Sequence, residues 1–159
     1  MSANNQINFK TQTAFVNYIK GQAVALGDIP QANVFGALSR HKPNASKLDA
    51  KPRALPCIVV KAGPARISDQ NWKPRVEISV ESDADNTDEN THLERAGRIF
   101  DLFHVDKASR AALRTAISEA TSDFTIFTLN MVSQEDEVEG RRWISRLALE
   151  IECCGSDVA

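Results

Sequence analysis

Residues 141–154 read RRWISRLALEIECC, and this stretch decides the fold. Trp143, Ser145, Leu147, Leu149, Ile151 and Cys153 alternate with Arg142, Ile144, Arg146, Ala148, Glu150 and Glu152. Successive side chains on a strand point to opposite faces, so this period of two predicts a long strand with one face in a core and a charged face that also carries Ile144. Just before it, Phe124, Ile126 and Thr128 alternate with Thr125, Phe127 and Leu129, a strand expected to end near Ser133. Residues 133–140, SQEDEVEG, then read as an acidic hairpin tip carrying Glu135, Asp136, Glu137 and Glu139, with Gly140 as its flexible return.

Working toward the N-terminus, two helices come next. The first has Asp83, Asp85, Asp88 and Glu89 at its entry and an expected apolar face of Leu93, Ala96, Ile99, Phe100 and Phe103. Thr91 and Glu94 have the spacing of a capping box, and acidic residues suit the positive end of the helix dipole. The second runs to about Ala120 on Ala108, Ala112, Leu113 and Ile117. Before them, Val76, Ile78 and Val80 alternate with Glu77, Ser79 and Glu81 as a half-buried strand. Residues 63–74 read as a connection, and Leu55 to Val60 as a short strand buried on both faces. Phe15, Val16, Ile19, Ala23 and Leu26 mark an amphipathic helix from Asn8 to about Leu26, stopped by Gly27, and Asn33, Val34 and Phe35 suggest a short extended piece.

The order is helix, two strands, two helices, two strands. Segregated blocks of this kind predict one α+β domain over residues 1–159, with a mostly antiparallel four-stranded sheet and helices packed on one face. Its length of 159 residues, 42% apolar and 25% charged, suits a single globular domain and excludes disordered or collagen-like classes. No apolar stretch nears the roughly 18 residues a bilayer requires, and MSANNQINFK lacks the order of a signal peptide, so cytoplasmic synthesis is expected.

The net charge of −2 conceals a division. Residues 1–75 hold 11 Lys and Arg against Asp28, Asp49 and Asp69, net +8; residues 76–159 hold 8 against 18 acidic side chains, net −10. Such segregation permits head-to-tail self-association, contact with two different partners, or local cancellation once folded. The basic excess concentrates in an aperiodic loop, residues 36–54, with Arg40, Lys42, Lys47, Lys51 and Arg53. The loop is longer than neighbouring strands need, which singles it out as functional or disordered. It interleaves no aromatic residue, so base stacking on single strands is not indicated, and phosphate contact competes with simple solvation.

Motifs for chemistry are few. Phosphate loops, nucleophile elbows and zinc-protease signatures do not occur. Cys57, Cys153 and Cys154 lack metal or disulfide spacing, and the last two should point to opposite faces with at least one in the core. His92 and His104 are expected at surface or capping positions. Asp83, Asp85, Thr87 and Glu94 imitate a calcium loop but place Asp88 where glycine is needed. Asn44, Ala45 and Ser46 form a glycosylation triplet that is idle without secretion.

The elements FVNYIKGQAVAL, LPCIVV, RVEISVES, HLERAGRIFDLF with ASRAALRTAI, and DFTIFTLNMVS with RRWISRLALEIEC resemble, in order and hydrophobic pattern, the tail-terminator proteins of long-tailed bacteriophages, the minor tail protein U type. The resemblance spans most of residues 10–154. It implies a virion protein made in the host cytoplasm. Such a protein forms a ring, typically of six, that ends tail-tube polymerisation and docks the head-side connector or stopper. Its partners would be its own copies, the tail-tube protein and the connector, with room for non-specific contact to DNA in the lumen and no membrane. No enzyme chemistry, cofactor or metal is implied. A ring requires two different patches per subunit, and the basic loop (Arg40, Lys42, Lys47, Lys51, Arg53) and acidic tip (Glu135, Asp136, Glu137, Glu139) could supply them. A neck or head-tail joining subunit is the nearest alternative. A cytosolic α+β enzyme or ligand-binding domain, with a pocket drawing on His41, Cys57 and Trp72, is the alternative of another class.

Overall fold

The computed structural model describes residues 7–37, 55–68 and 71–155. In chain order the elements are α1 (Ile7–Lys20), α2 (Ala23–Leu26), a single 3-10 turn (Gln31–Asn33), β1 (Val34–Gly36), β2 (Cys57–Ser68), β3 (Asn71–Asp83), α3 (Glu89–Phe100), α4 (Arg110–Glu119), β4 (Phe124–Glu139) and β5 (Arg142–Gly155). The chain is α+β, as the blocks of the sequence imply, but the sheet has five strands and is mixed, in the order β1-β2-β3-β5-β4. The extra strand is the short piece at residues 34–36, which pairs parallel to β2 with Val34 opposite Ile58. That pairing also changes the meaning of the loop that follows it. Parallel neighbours cannot be joined by a tight turn and need a dozen or more residues to cross back, so the length of the 36–54 segment is in part a requirement of topology.

The other pairings are antiparallel. β2 and β3 both run further than the alternation suggests, so most of the expected connection at 63–74 is hairpin. Gly63, at φ +121°, lies where the register slips between Ala62 and Ala65, and Pro74 stands where the β3–β5 pairing breaks off between Trp72 and Arg75. Glycine and proline thus interrupt the ladder locally and do not end it.

The helices cover one face of the sheet. Ile58 and Val60 of β2, Val76, Ile78 and Val80 of β3, and Leu147, Leu149 and Ile151 of β5 meet Phe15 and Ile19 of α1, Ile99 and Phe100 of α3, and Leu113 and Ile117 of α4. The Phe15 and Phe103 rings stack at 5.8 Å, with Tyr18 edge-on to Phe103 at 6.0 Å. Leu149 is wholly buried, so the expected facing of β5 toward the helix pair holds. β4 departs from simple alternation. Bulges at Phe127 and Val132 reset its phase, turning Leu129 inward with Phe124 and Ile126 and leaving both bulge residues exposed.

α3 starts at Asp88, whose carboxylate accepts from the Thr91 N–H at 2.9 Å; Thr91 is therefore the third helical residue and not the cap. Among the described residues, no helix is long and apolar enough to cross a membrane.

Candidate assembly interface

The face of the sheet away from the helices carries a charged array. On β5 the side chains of Arg142 and Arg146 point to this side, flanked by Glu77 and Glu81 of β3 and by Glu135, Glu137 and Glu139 of β4, as the register requires. Arg146 lies 3.6 Å from Glu77, 3.7 Å from Glu135 and 3.5 Å from Glu139, and donates a short hydrogen bond to Glu137. These bonds to carboxylates, Glu137 foremost, hold its guanidinium above the usual arginine pKa. Arg142 reaches Glu81 at 3.1 Å, and Glu81 is only 3% exposed. Cys57, Val59, Ile144 and Ala148 are buried on this same side. A hollow of about 840 Å³ lies over the array, and Ala37 and Leu55, which flank residues 38–54, line it.

The acidic stretch is therefore not a loop at a hairpin tip. β4 continues through Glu139, and only Gly140, at φ +62°, and Arg141 make the turn. Gly140 supplies the positive φ at little steric cost. The strand alternation then divides the four acids. Glu135, Glu137 and Glu139 face the open side, whereas Asp136 lies opposite Ser145 on the helix side and accepts a short hydrogen bond from its hydroxyl. Arg40, Lys42, Lys47, Lys51 and Arg53 lie outside the described residues, as does His41.

On the helix side Asp136 ends a polar chain that the sequence reading missed. The Arg95 guanidinium donates to Ser82 Oγ at 3.1 Å; Ser82 Oγ lies 2.8 Å from His92 Nδ1; His92 Nε2 lies 2.9 Å from Ser145 Oγ. Because Ser145 gives its one proton to Asp136, it must accept from Nε2–H, which leaves Nδ1 to accept from Ser82. With the imidazole neutral, every donor thus points from Arg95 toward Asp136. Burial pushes the His92 pKa down, Arg95 adds to this, and Asp136 opposes it. Trp143 stacks on the ring at 6.3 Å and donates its indole N–H to the Thr87 carbonyl at 2.9 Å. At the other end Arg95 binds Asp28 through Nε at 2.8 Å and Nη2 at 2.6 Å, Arg98 adds a contact at 3.0 Å, and these bonds, Arg95 foremost, lower the Asp28 pKa.

His92 is 2% exposed and so belongs to the core, not to the surface or a cap. The signal was present: His92, Ala96, Ile99 and Phe103 share a helical stripe, and Ser82 and Ser145 occupy core-phase positions of their strands. A buried polar residue on each of three neighbouring elements is the pattern of a satisfied network. Both serines are fully buried and His92 has both ring nitrogens engaged, so these groups are structural and not an accessible nucleophile and base.

The alternative pocket is not assembled. Cys57 sits at the start of β2 opposite Glu81, while Trp72 pairs with Ile67 ten residues further along, roughly 33 Å away at strand rise. Cys153 is buried and Cys154 partly exposed, as their adjacency predicts, and burial pushes the Cys153 thiol up to about 12, which leaves it unreactive. The oxygens of Asp83 accept from Asp85 N–H at 2.9 Å and the Asn86 amide at 2.7 Å, closing a turn of their own. Comparison with known proteins finds no family model and no curated protein that matches this chain.

Proposed function

We propose that this chain is a structural virion subunit that forms a ring, of six copies, at the end of a phage tail tube. There it ends polymerisation and presents the docking face for the head-side connector. The observation that supports this reading best is β4. It is an edge strand of sixteen residues, and Met131 through Glu139 are exposed along its whole outer half. A long exposed edge is a hazard in a monomer and a resource in an assembly; here glutamates and a bulge guard it against indiscriminate pairing. The one-sided helix cover and the charged open face add a second surface to the same subunit, and a closed ring uses two. The order of helices and strands that underlies the resemblance to tail terminators supports the same reading. In it the chain carries no enzyme chemistry and takes no cofactor or metal. The basic segment with Arg40, Lys42, Lys47, Lys51 and Arg53 contacts a neighbour, the tube or DNA in the lumen.

Negative-stain electron microscopy of the purified protein tests the reading, together with tail lengths in phage lacking it. Closed six-fold rings and tails of uncontrolled length are expected. Monomer at every concentration by mass photometry, with tails of normal length, would overturn it. Rings seated at the head side of finished tails of normal length would make the chain a neck subunit instead.

A further inference from the structure

The two hairpins of the sheet lie at its opposite ends. β3 runs from the β2–β3 turn to Asp83, which pairs with Arg142 beside the β4–β5 turn. Each end carries charge left uncompensated among the described residues, and the signs are opposite. At the β2–β3 end, Arg66 and Lys73 are direct cross-strand partners on the open side, both exposed, and neither makes an ion pair among the described residues. Like charges directly opposite one another destabilise a sheet, so this pair is a cost to the monomer. Arg75, next on that side, has Glu150 across from it, and Glu152, which accepts from the Asn71 amide, shares a hollow with Arg66 and Lys73; three cations against two carboxylates leave this end net positive among the described residues. At the β4–β5 end, Glu135, Glu137 and Glu139 line one side of an edge strand and share a single guanidinium, Arg146, with Glu77.

The apolar residues follow the same division. Ile67, next to Arg66, is 62% exposed, and Val138, between Glu137 and Glu139, is 56% exposed. Ile67 pairs with Trp72 and Val138 with Trp143, so both project on the helix side of the sheet while the charges beside them lie on the open side. Two copies placed end to end with their faces in common bring aliphatic against aliphatic and cation against carboxylate. An apolar centre within a polar rim is the ordinary anatomy of a protein interface.

We infer that copies of this chain associate head to tail, the β2–β3 hairpin of one seating Arg66, Ile67 and Lys73 against Val138 and the glutamates of β4 on the next. The inference rests on the ring reading only in needing copies to meet, and it names the surfaces that meet. It also assigns the acidic half of β4 to a neighbour's hairpin and not to the neighbour's 38–54 segment. A contact between unlike patches propagates and closes only if the rotation allows, which is the geometry a ring requires.

Complementary variants, read by mass photometry at low salt, test it. Both Arg66→Glu/Lys73→Glu and Val138→Asp alter exposed side chains, so thermal midpoints near wild type establish folding. Wild type is expected to form multimers and each variant to fall to the 17.5 kDa single chain. Mixed in equal amounts, the two variants retain one intact pair of surfaces between them, and dimers that grow no further are expected. Wild-type monomer at all concentrations overturns the inference. So does multimer formation by the Arg66→Glu/Lys73→Glu variant alone, the mark of a contact made elsewhere. If rings persist in both variants and vanish in Lys42→Glu/Lys47→Glu/Lys51→Glu, the ring reading stands and this interface is wrong. If the hairpin variant keeps its rings and loses retention on DNA, Arg66 and Lys73 are a phosphate-binding surface, and the inference again fails.

Discussion

The two faces of the sheet handle charge in opposite ways. On the helix side, Arg95 and Asp136 are joined through two serines and a histidine that are all 2% exposed or less, and each hydrogen bond in the chain has one direction. On the open side, Arg146 is shared among four carboxylates that are 38–69% exposed, with no unique pairing. Buried, satisfied polar groups are costly to break because the survivor stays desolvated, whereas exposed pairs exchange with water and salt at little cost. The lesson is one of division of labour. The helix side specifies the subunit, and the exposed glutamates of β4 on the other side are available to a partner.

The largest effect belongs to the apolar floor beneath the buried chain. Leu149 pairs with Val76 on one side and Met131 on the other and is completely buried. Leu149→Ala should cost about 2–5 kcal/mol by chemical denaturation, the transfer term plus the cavity left behind. An unchanged midpoint would mean that the face assignment of β5, and with it the whole contrast, is reversed.

Next comes the buried chain itself. His92→Leu keeps the volume roughly constant but deprives Ser82 and Ser145 of one partner each, and a loss of about 1–3 kcal/mol is expected. The pH dependence is the sharper test. Because the folded state lowers the His92 pKa, folded and unfolded chains are both neutral there above about pH 6.5, and no stability is lost. As pH falls below that value the unfolded chain takes up a proton that the folded chain refuses, so stability declines until the folded-state pKa is reached. Asp28, whose pKa is lowered mainly by Arg95, adds a second decline below its ordinary value of 3.8. Thermal midpoints should therefore drop between pH 7 and 5 in wild type and stay flatter over that range in His92→Leu. Equal slopes would show that His92 is not held neutral.

Much of this architecture was legible in the chain because period-two and period-3.6 patterns report burial directly. The strands around Ile78 and Leu149 and the helix through Ile99 follow from apolar spacing alone. What escaped was governed by pairing between distant segments. The extended piece at 33–35 carries no sign in the sequence of its parallel pairing with β2, and the acidic run 134–139 is strand because Arg142 and Arg146 lie opposite it. In the acidic run, residues that favour solvent in isolation are overridden by cross-strand partners. His92 was misplaced because a lone histidine reads as polar, although its helical phase put it beside Ala96 and Ile99.

The smallest effect is expected at Arg146, which makes four ion pairs. Arg146→Met removes four ion pairs at once while keeping the aliphatic stem that packs beside Ser79 and Glu135, its partners across the two ladders. In moderate salt the loss should be about 0–1 kcal/mol, since the pairs are exposed and compete for one guanidinium. It should not vanish everywhere. Without Arg146, the glutamates of β3 and β4 repel one another, so the cost should grow as salt is lowered and the screening length increases, and shrink in acid as the carboxylates take up protons. A denaturation series across salt and pH checks both trends. If Arg146→Met cost as much as His92→Leu at every ionic strength, the open face would be part of the subunit's structural core, and its charges could not be counted as reserved for a partner.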